Sequence, residues 1–340
     1  MHIWMRAETR PNERRAGLLP DGAAALVARG WTVTVEDSPT RIVPTADYAA
    51  AGCRIARPGT WTKAPVDAII LGLKELPADD MPLRHRHIMF GHAFKGQPEG
   101  QVLLDRFRAG GGTLLDLEYL VDDTGRRIAA FGHWAGYAGA ALSLRAWAGQ
   151  TGPVDICTSA EVMAEDLRNL LTCRAPRVLI IGALGRVGQG AAALCASVGA
   201  RVTAWDISET ANGGPFPEVL SHDVFLNCIL AAPGVPVFVP RDAGTKPRTL
   251  RVIGDIACDP NSTFNPVPVY DHVTSWQAPT RRVHDTPPLD VMAIDNLPSL
   301  LPEESSKDFA MQLLPHLKRL DRLDEGVWSR AAEKFRGYRS

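Results

Sequence analysis

The chain has 340 residues, 45% hydrophobic and 22% charged, and 37 basic against 38 acidic side chains leave a net charge of −1. That length suggests two domains with sizeable cores, and the near-neutral balance excludes a global field for nucleic acid or an anionic membrane. Six scattered cysteines without a CxxC pair argue against a disulfide framework or a zinc site, and no apolar stretch reaches membrane-spanning length.

The opening "MHIWMRA" reads as a short strand, and its early charge without an apolar core makes a signal peptide unexpected. "PDGAAALVARG" has helical spacing, with Pro and Asp at its start and Gly at its end. "WTVTVEDS" alternates like a strand. "TADYAAAG" is expected as a short capped helix and "DAIILGL" as a buried strand. "HIMFGHAF" is a further strand, "QVLLDRFRAGGG" a helix stopped by glycines, and "TLLDLEYL" a strand. This repetition favours a doubly wound parallel sheet. From Phe131 the texture changes: "FGHWAGYAGAALSLRAWAGQ" predicts a close-packed helix rich in Gly and Ala, bridging two domains. A second α/β unit follows, with strands in "RVLIIG", "RVTAWD", "DVFLNCIL" and "RVIGDIA" and a helix in "RVGQGAAALCASVG". Two amphipathic helices, "SKDFAMQLLPHLKRL" and "GVWSRAAEKFRGY", end the chain. The expected fold class is α/β, two Rossmann-like doubly wound domains with a cleft between them. Residues 1–132 with 300–340 would form the substrate domain, and 133–299 the dinucleotide domain.

The clearest motif is "RVLIIGALGRVGQGAAALCASVGARVTAWD". A strand runs into Gly182, Gly185 and Gly188, spaced GxxGxxG, and a helix opens. Such glycines allow a tight turn and let backbone N–H groups approach a pyrophosphate at the helix N-terminus. A glycine turn alone is also compatible with a plain strand-to-helix connection. Asp206 ends the next strand, near the spacing at which an acid accepts hydrogen bonds from an adenosine ribose. Ile207 and Ser208 follow it rather than an arginine, which favours NAD over NADP.

A nicotinamide cofactor needs proton-transfer groups and a substrate, and open α/β sheets place ligands at strand ends. Lys74 and Glu75 follow "DAIILGL", His92 follows "HIMFG" with Lys95 one turn later, and Glu118 lies in "LLDLEYL". Arg15 sits in "ERRAGLLP", and Arg126 and Arg127 in "TGRRIAAFGH". Taken singly, each has an ordinary reading as surface charge or satisfied polar residue. Their repeated placement after apolar strands favours a site, although no spacing rule identifies a reaction.

"RAETRPNERRAGLLP", "IILGLKELP", "HIMFGHAFKGQ", "LLDLEYLVDDTGRRIAAFGHWAGYAGAAL", "VLIIGALGRVGQGA" and "DNLPSLLP", in this order, resemble the NAD-dependent, L-lysine-forming saccharopine dehydrogenases, relatives of the alanine dehydrogenase fold. The resemblance runs nearly end to end. It implies oxidation of saccharopine by NAD and hydrolysis of the resulting imine to lysine and 2-oxoglutarate. It implies Lys74 and His92 as acid–base groups, with Glu75 and Glu118 tuning them, and Arg15, Lys95 and Arg127 as carboxylate binders. Around the cofactor it implies Gly182, Gly185, Arg186, Val187, Gly188, Asp206, Thr210, Cys228 and Asp295. It implies small-molecule substrates; composition, cysteine spacing and the lack of a targeting or spanning segment add the expectation of a cytoplasmic monomer or small homo-oligomer with no metal, nucleic acid or membrane partner. The sequence departs from the family's pattern at His133 and Trp134, where an aromatic pair is usual, and at Val187, where a cysteine is usual. The last change leaves no disulfide between that turn and the Cys228 region. A related enzyme acting on another amine and a non-catalytic NAD-binding protein are the alternative readings.

Overall fold

A computed structural model describes residues 1–338 except Ala78, Lys95, Gln97 and Cys173. The chain forms two compact units: Met1–Ala130 with the chain from Ser305 onward, and Phe131–Glu304. In the first, β1 (His2–Met5), α1 (Pro20–Val27), β2 (Thr32–Glu36), α2 (Thr45–Ala50), β3 (Arg54–Ala56), β4 (Ile69–Leu71), β5 (Arg86–Met89), α3 (Pro98–Gly110) and β6 (Thr113–Asp116) follow in chain order. The six strands make one parallel sheet in the order β3-β2-β1-β4-β5-β6. The sheet therefore grows outward from β1 in both directions, and β1 and β4 lie at the switch point where ligands gather in such folds. Ile69, Ile70 and Leu71 are buried, as expected of a central parallel strand covered on both faces.

The second unit contains α4 (Gly132–Trp147), α5 (Ala160–Leu170), β7 (Arg177–Ile181), α6 (Arg186–Ser197), β8 (Arg201–Trp205), α7 (Ile207–Thr210), α8 (Pro217–Ser221), β9 (Val224–Asn227), β10 (Val252–Asp255), β11 (Arg281–His284) and β12 (Leu289–Met292). Its sheet runs β11-β12-β10-β9-β7-β8. Only β11 is antiparallel, paired to β12 with a register shift between Arg282 and His284. The chain closes with α9 (Pro302–Leu317) and α10 (Gly326–Arg336). α10 packs on the first unit, where Phe335 meets Phe107 edge-on at 5.6 Å. Among the described residues no helix is long and apolar enough to cross a membrane.

Two local expectations are corrected and three elements are added. "TLLDLEYL" is not extended throughout: β6 stops at Asp116, whose Oδ1 accepts the Glu118 N–H at 2.9 Å and closes a turn. α2 carries no side-chain cap; Pro44 precedes it and presets the entry instead. The edge strands β3 and β11 carry too few apolar positions to stand out, whereas α5 is amphipathic and is capped by Ser159, which accepts the Val162 N–H.

The small residues of α4 have a direct purpose. A Cβ on Gly136 would lie 1.8 Å from the Val187 carbonyl oxygen, and one on Gly190 would lie 1.8 Å from that of His133. The two helices thus cross backbone against backbone, inside the second unit, with Ala138, Ala141, Ala191 and Leu194 buried around the crossing. Adding a methyl group there forces the helices apart, at about 1–3 kcal/mol for overpacking. Gly190→Ala is expected to lose stability in that range in urea denaturation, whereas Gly152→Ala, which meets nothing within 4 Å, is expected to stay within about 0.5 kcal/mol of wild type.

Candidate active site and dinucleotide cradle

In the first unit the ends of β1, β4, β5 and β6 deliver charged residues to one edge. After β1 come Arg6 and Glu8. Both oxygens of the Glu8 carboxylate are used, accepting the Leu73 N–H at 2.8 Å and the Lys74 N–H at 3.0 Å. The Arg6 guanidinium lies 3.3 Å from Glu8 and donates to the Lys74 carbonyl. Its passage requires Gly72: a Cβ there would come within 2.4 Å of Arg6 Nε. The turn after β4 is thus clamped through its backbone, which fixes where the Lys74 and Glu75 side chains begin.

Lys74 is half-buried, and its amine is held below the ordinary lysine range. Burial is the main cause, reinforced by the positive charges of Arg15 and Arg10 and opposed by Glu13 and Glu75. His92 carries a left-handed backbone, φ 48°, and its ring stacks on Phe90. Nε2 lies 3.3 Å from Glu75 Oε1, and Nδ1 lies 3.7 Å from Glu118 Oε2. One imidazole is therefore flanked by two carboxylates from two different strand ends. Lys74, Glu75, His92 and Glu118 form a single mixed-charge cluster.

The proposed carboxylate binders are distributed differently. Arg15 is buried, and its guanidinium forks onto Glu13 at 2.8 and 2.5 Å. Burial alone would raise the Glu13 carboxyl, but the hydrogen bonds and charge of Arg15 outweigh it and hold the group below the usual range. Arg127 is half-buried and bridges to Val121 at the base of the turn that Asp122 organises. Arg126 is exposed on that turn. Lys95 lies outside the described residues. Three neighbours of the cluster escaped the sequence reading. They are Glu8 and Arg10, both just beyond β1, and Asp116, the last residue of β6. Arg10, 3.7 Å from Glu75, is about a third exposed. The rule that found Lys74 and His92, charge soon after an apolar strand, extends to Glu8 and Arg10 but not to Asp116, which lies within β6.

In the second unit, β7 leads into the glycine turn. Gly182 has φ 89°, and a Cβ on it would meet Ile229 at 2.8 Å and the Cys228 carbonyl at 3.0 Å. A Cβ on Gly188 would lie 2.2 Å from the Gly182 carbonyl oxygen, so only glycine lets α6 close on the turn. Gly185 is the N-cap of α6, and Arg186 and Val187 are its first residues. Asp206 accepts the Leu184 N–H on Oδ2 and the Ile207 N–H on Oδ1, both at 2.9 Å, while Glu209 accepts the Asp206 N–H at 2.7 Å. Thr210 is buried and donates to the Asp206 carbonyl. A carboxylate has about four acceptor sites, and Asp206 also caps the Glu209 N–H, so it retains capacity for one hydroxyl. Leu184 and Ile207 flank it with 76% and 74% of their surface exposed, an apolar rim suited to a flat base. Cys228 continues the sheet ladder onto Ile181, and burial pushes its thiol pKa up. Asp295 is exposed, just beyond β12. His133 and Trp134 meet edge-on in the first turn of α4. Turn, helix N-terminus, acid and apolar rim together fit an NAD.

Residues 4–138 match the family described as alanine dehydrogenase/PNT, N-terminal domain. The chain is 44% identical to the saccharopine dehydrogenase (NAD(+), L-lysine-forming) of Emericella nidulans, over 98% of this chain and 96% of that protein. It is 42% identical to the protein of the same name from Neurospora crassa, over 98% and 95% of the two chains. Its fold is similar to that of an L-alanine dehydrogenase, with a TM-score of 0.72 at 21% identity over 99% and 94% of the chains.

The charges around Lys74 set a sign that can be measured. Arg10 favours the neutral amine, so Arg10→Ala is expected to raise the Lys74 pKa. At fixed pH Lys74 should then react more slowly with an acylating reagent, read by mass spectrometry. An unchanged or faster rate would show that Arg10 does not act on this amine.

Proposed function

The chain belongs to the NAD-dependent, L-lysine-forming saccharopine dehydrogenases, and from that membership we propose that it oxidises saccharopine with NAD to release L-lysine and 2-oxoglutarate. The observation that carries the reading is the cluster of Lys74, Glu75, His92 and Glu118, assembled from three strand ends at one sheet edge. A bound NAD would supply the hydride acceptor for the α-carbon of the glutamyl part of saccharopine. The glycine turn, the N-terminus of α6 and Asp206 would hold it, with Arg186, Val187, Thr210 and Cys228 in adjoining positions and Asp295 beyond β12 as a further proposed contact.

The remaining chemistry is proton movement. The secondary amine of saccharopine must give up a proton before hydride leaves its carbon. Water must then be deprotonated as it adds to the imine carbon, and the lysine nitrogen must be protonated as it departs. A lysine amine kept low by burial suits the first task, because its neutral form is available as a base. His92 suits the second by position, its ring held between Glu75 and Glu118 at the same sheet edge. Saccharopine carries three carboxylates, and Arg15, Lys95 and Arg127 are the proposed cations for them, joined by the partly exposed Arg10. Since Arg15 already forks onto Glu13, its share is a partly neutralised one. The five described cysteines are free thiols, which fits the expected cytoplasmic setting. The enzyme is proposed to act as a monomer or small homo-oligomer.

The test is NADH consumption with 2-oxoglutarate and a panel of amines. Lysine is expected to give the highest kcat/KM, and cadaverine, which lacks the α-carboxylate, a low one. A carboxylate-free amine that outperforms lysine would replace the substrate and keep the chemistry. Lys74→Met is expected to lower kcat by about 10²–10⁴-fold, the range for general acid–base groups. A variant with near-normal kcat and pH profile would return Lys74 to the status of a strand-end charge.

A further inference from the structure

Asp116 is a buried carboxyl that the proton-transfer scheme does not use. It is 1% exposed at the end of β6. Oδ1 accepts the Glu118 N–H at 2.9 Å, which closes the turn that brings the Glu118 side chain to His92. Oδ2 is turned to the neighbouring strand end, toward the Gly91 amide. There it packs on Gly91, where a Cβ would lie 3.2 Å from Oδ2. Gly91 directly precedes His92, the residue with left-handed φ. A single carboxyl thus touches both turns that present the imidazole and one of its flanking carboxylates. Burial, together with the nearby Glu118 charge and against the pull of the Gly91 and Glu118 amides and of His92, raises this carboxyl to about 6. A carboxyl buried in that way is costly to keep for stability alone.

We propose that Asp116 is a positioning residue for the deamination, setting the Glu118 and His92 turns in register without touching substrate. The inference rests on the functional reading above. The experiment compares wild type, Asp116→Ala and Asp116→Asn for saccharopine oxidation, with thermal unfolding and NAD affinity measured on each. Loss of the acceptor for the Glu118 N–H lets the turn move. Asp116→Ala is therefore expected to lower kcat by about 10- to 100-fold, the effect of misplacing a reacting group by about an ångström, with NAD affinity unchanged. Asp116→Asn keeps a carbonyl for the same N–H and is expected to recover most of that loss. Wild-type kcat in the alanine variant would overturn the inference. So would an asparagine variant as slow as alanine, since charge rather than hydrogen-bond acceptance would then be needed, or a loss in alanine matched by weakened NAD binding and a collapsed melting temperature. A wild-type protein inert toward saccharopine would instead overturn the functional reading.

Discussion

Both candidate sites depend on one constraint. In each six-stranded sheet the strands run parallel, with the single exception of β11, so their carboxyl ends share an edge. Residues far apart in sequence are thereby brought into one row. In the first unit that row holds Arg6 and Glu8 after β1, Lys74 and Glu75 after β4, His92 after β5, and Asp116 and Glu118 at the end of β6. Hydrogen bonding fixes the backbone of the row. The Glu8 carboxylate takes two consecutive N–H groups of the β4 turn, and Asp116 takes one from the β6 turn. Charge-assisted bonds of this kind are stronger than neutral ones. They hold the backbone from which Lys74 and Glu118 project.

The electrostatics of the first unit are local. A chain with net charge −1 has no general attraction for a substrate with three carboxylates. Around the β4 and β5 ends, however, Arg10, Arg15 and Lys74 alternate with Glu13, Glu75 and Glu118. Arg15 spends its fork on Glu13, yet its charge still reaches Lys74 and favours the neutral amine. An ion pair can thus serve the pKa of a third group. The cluster mixes the two signs rather than gathering positive charge.

The second unit solves a steric problem instead. A dinucleotide turn needs the helix after β7 to start close to the strand, which Gly188 permits against the Gly182 carbonyl. The same helix must rest against α4, which Gly136 and Gly190 permit. The glycines of α6 therefore face two different neighbours, and helix propensity is given up twice for close approach. At the far end, Asp206 and Glu209 cap α7 reciprocally, which fixes the carboxylate at the mouth of the turn.

The amino-acid sequence by itself determined the alternation of strands and helices, the glycine turn with Asp206, and the charges that follow apolar strands. These are local facts, written in periodicity, in residues with special backbone freedom, and in the order of polar after apolar. Lys74 and His92 were legible for that reason. What only the tertiary structure decided is which of those charges meet. Nothing local says that Glu118 approaches one nitrogen of His92 while Glu75 approaches the other, that Arg15 turns inward to Glu13, or that Gly72 is a glycine because Arg6, 66 residues earlier, passes over it. β11 was unreadable because an exposed edge strand needs little apolar pattern. Asp116 looked like one more strand residue, because a side chain that ends a strand by capping its own turn acts through geometry that appears only once β5 and β6 lie side by side.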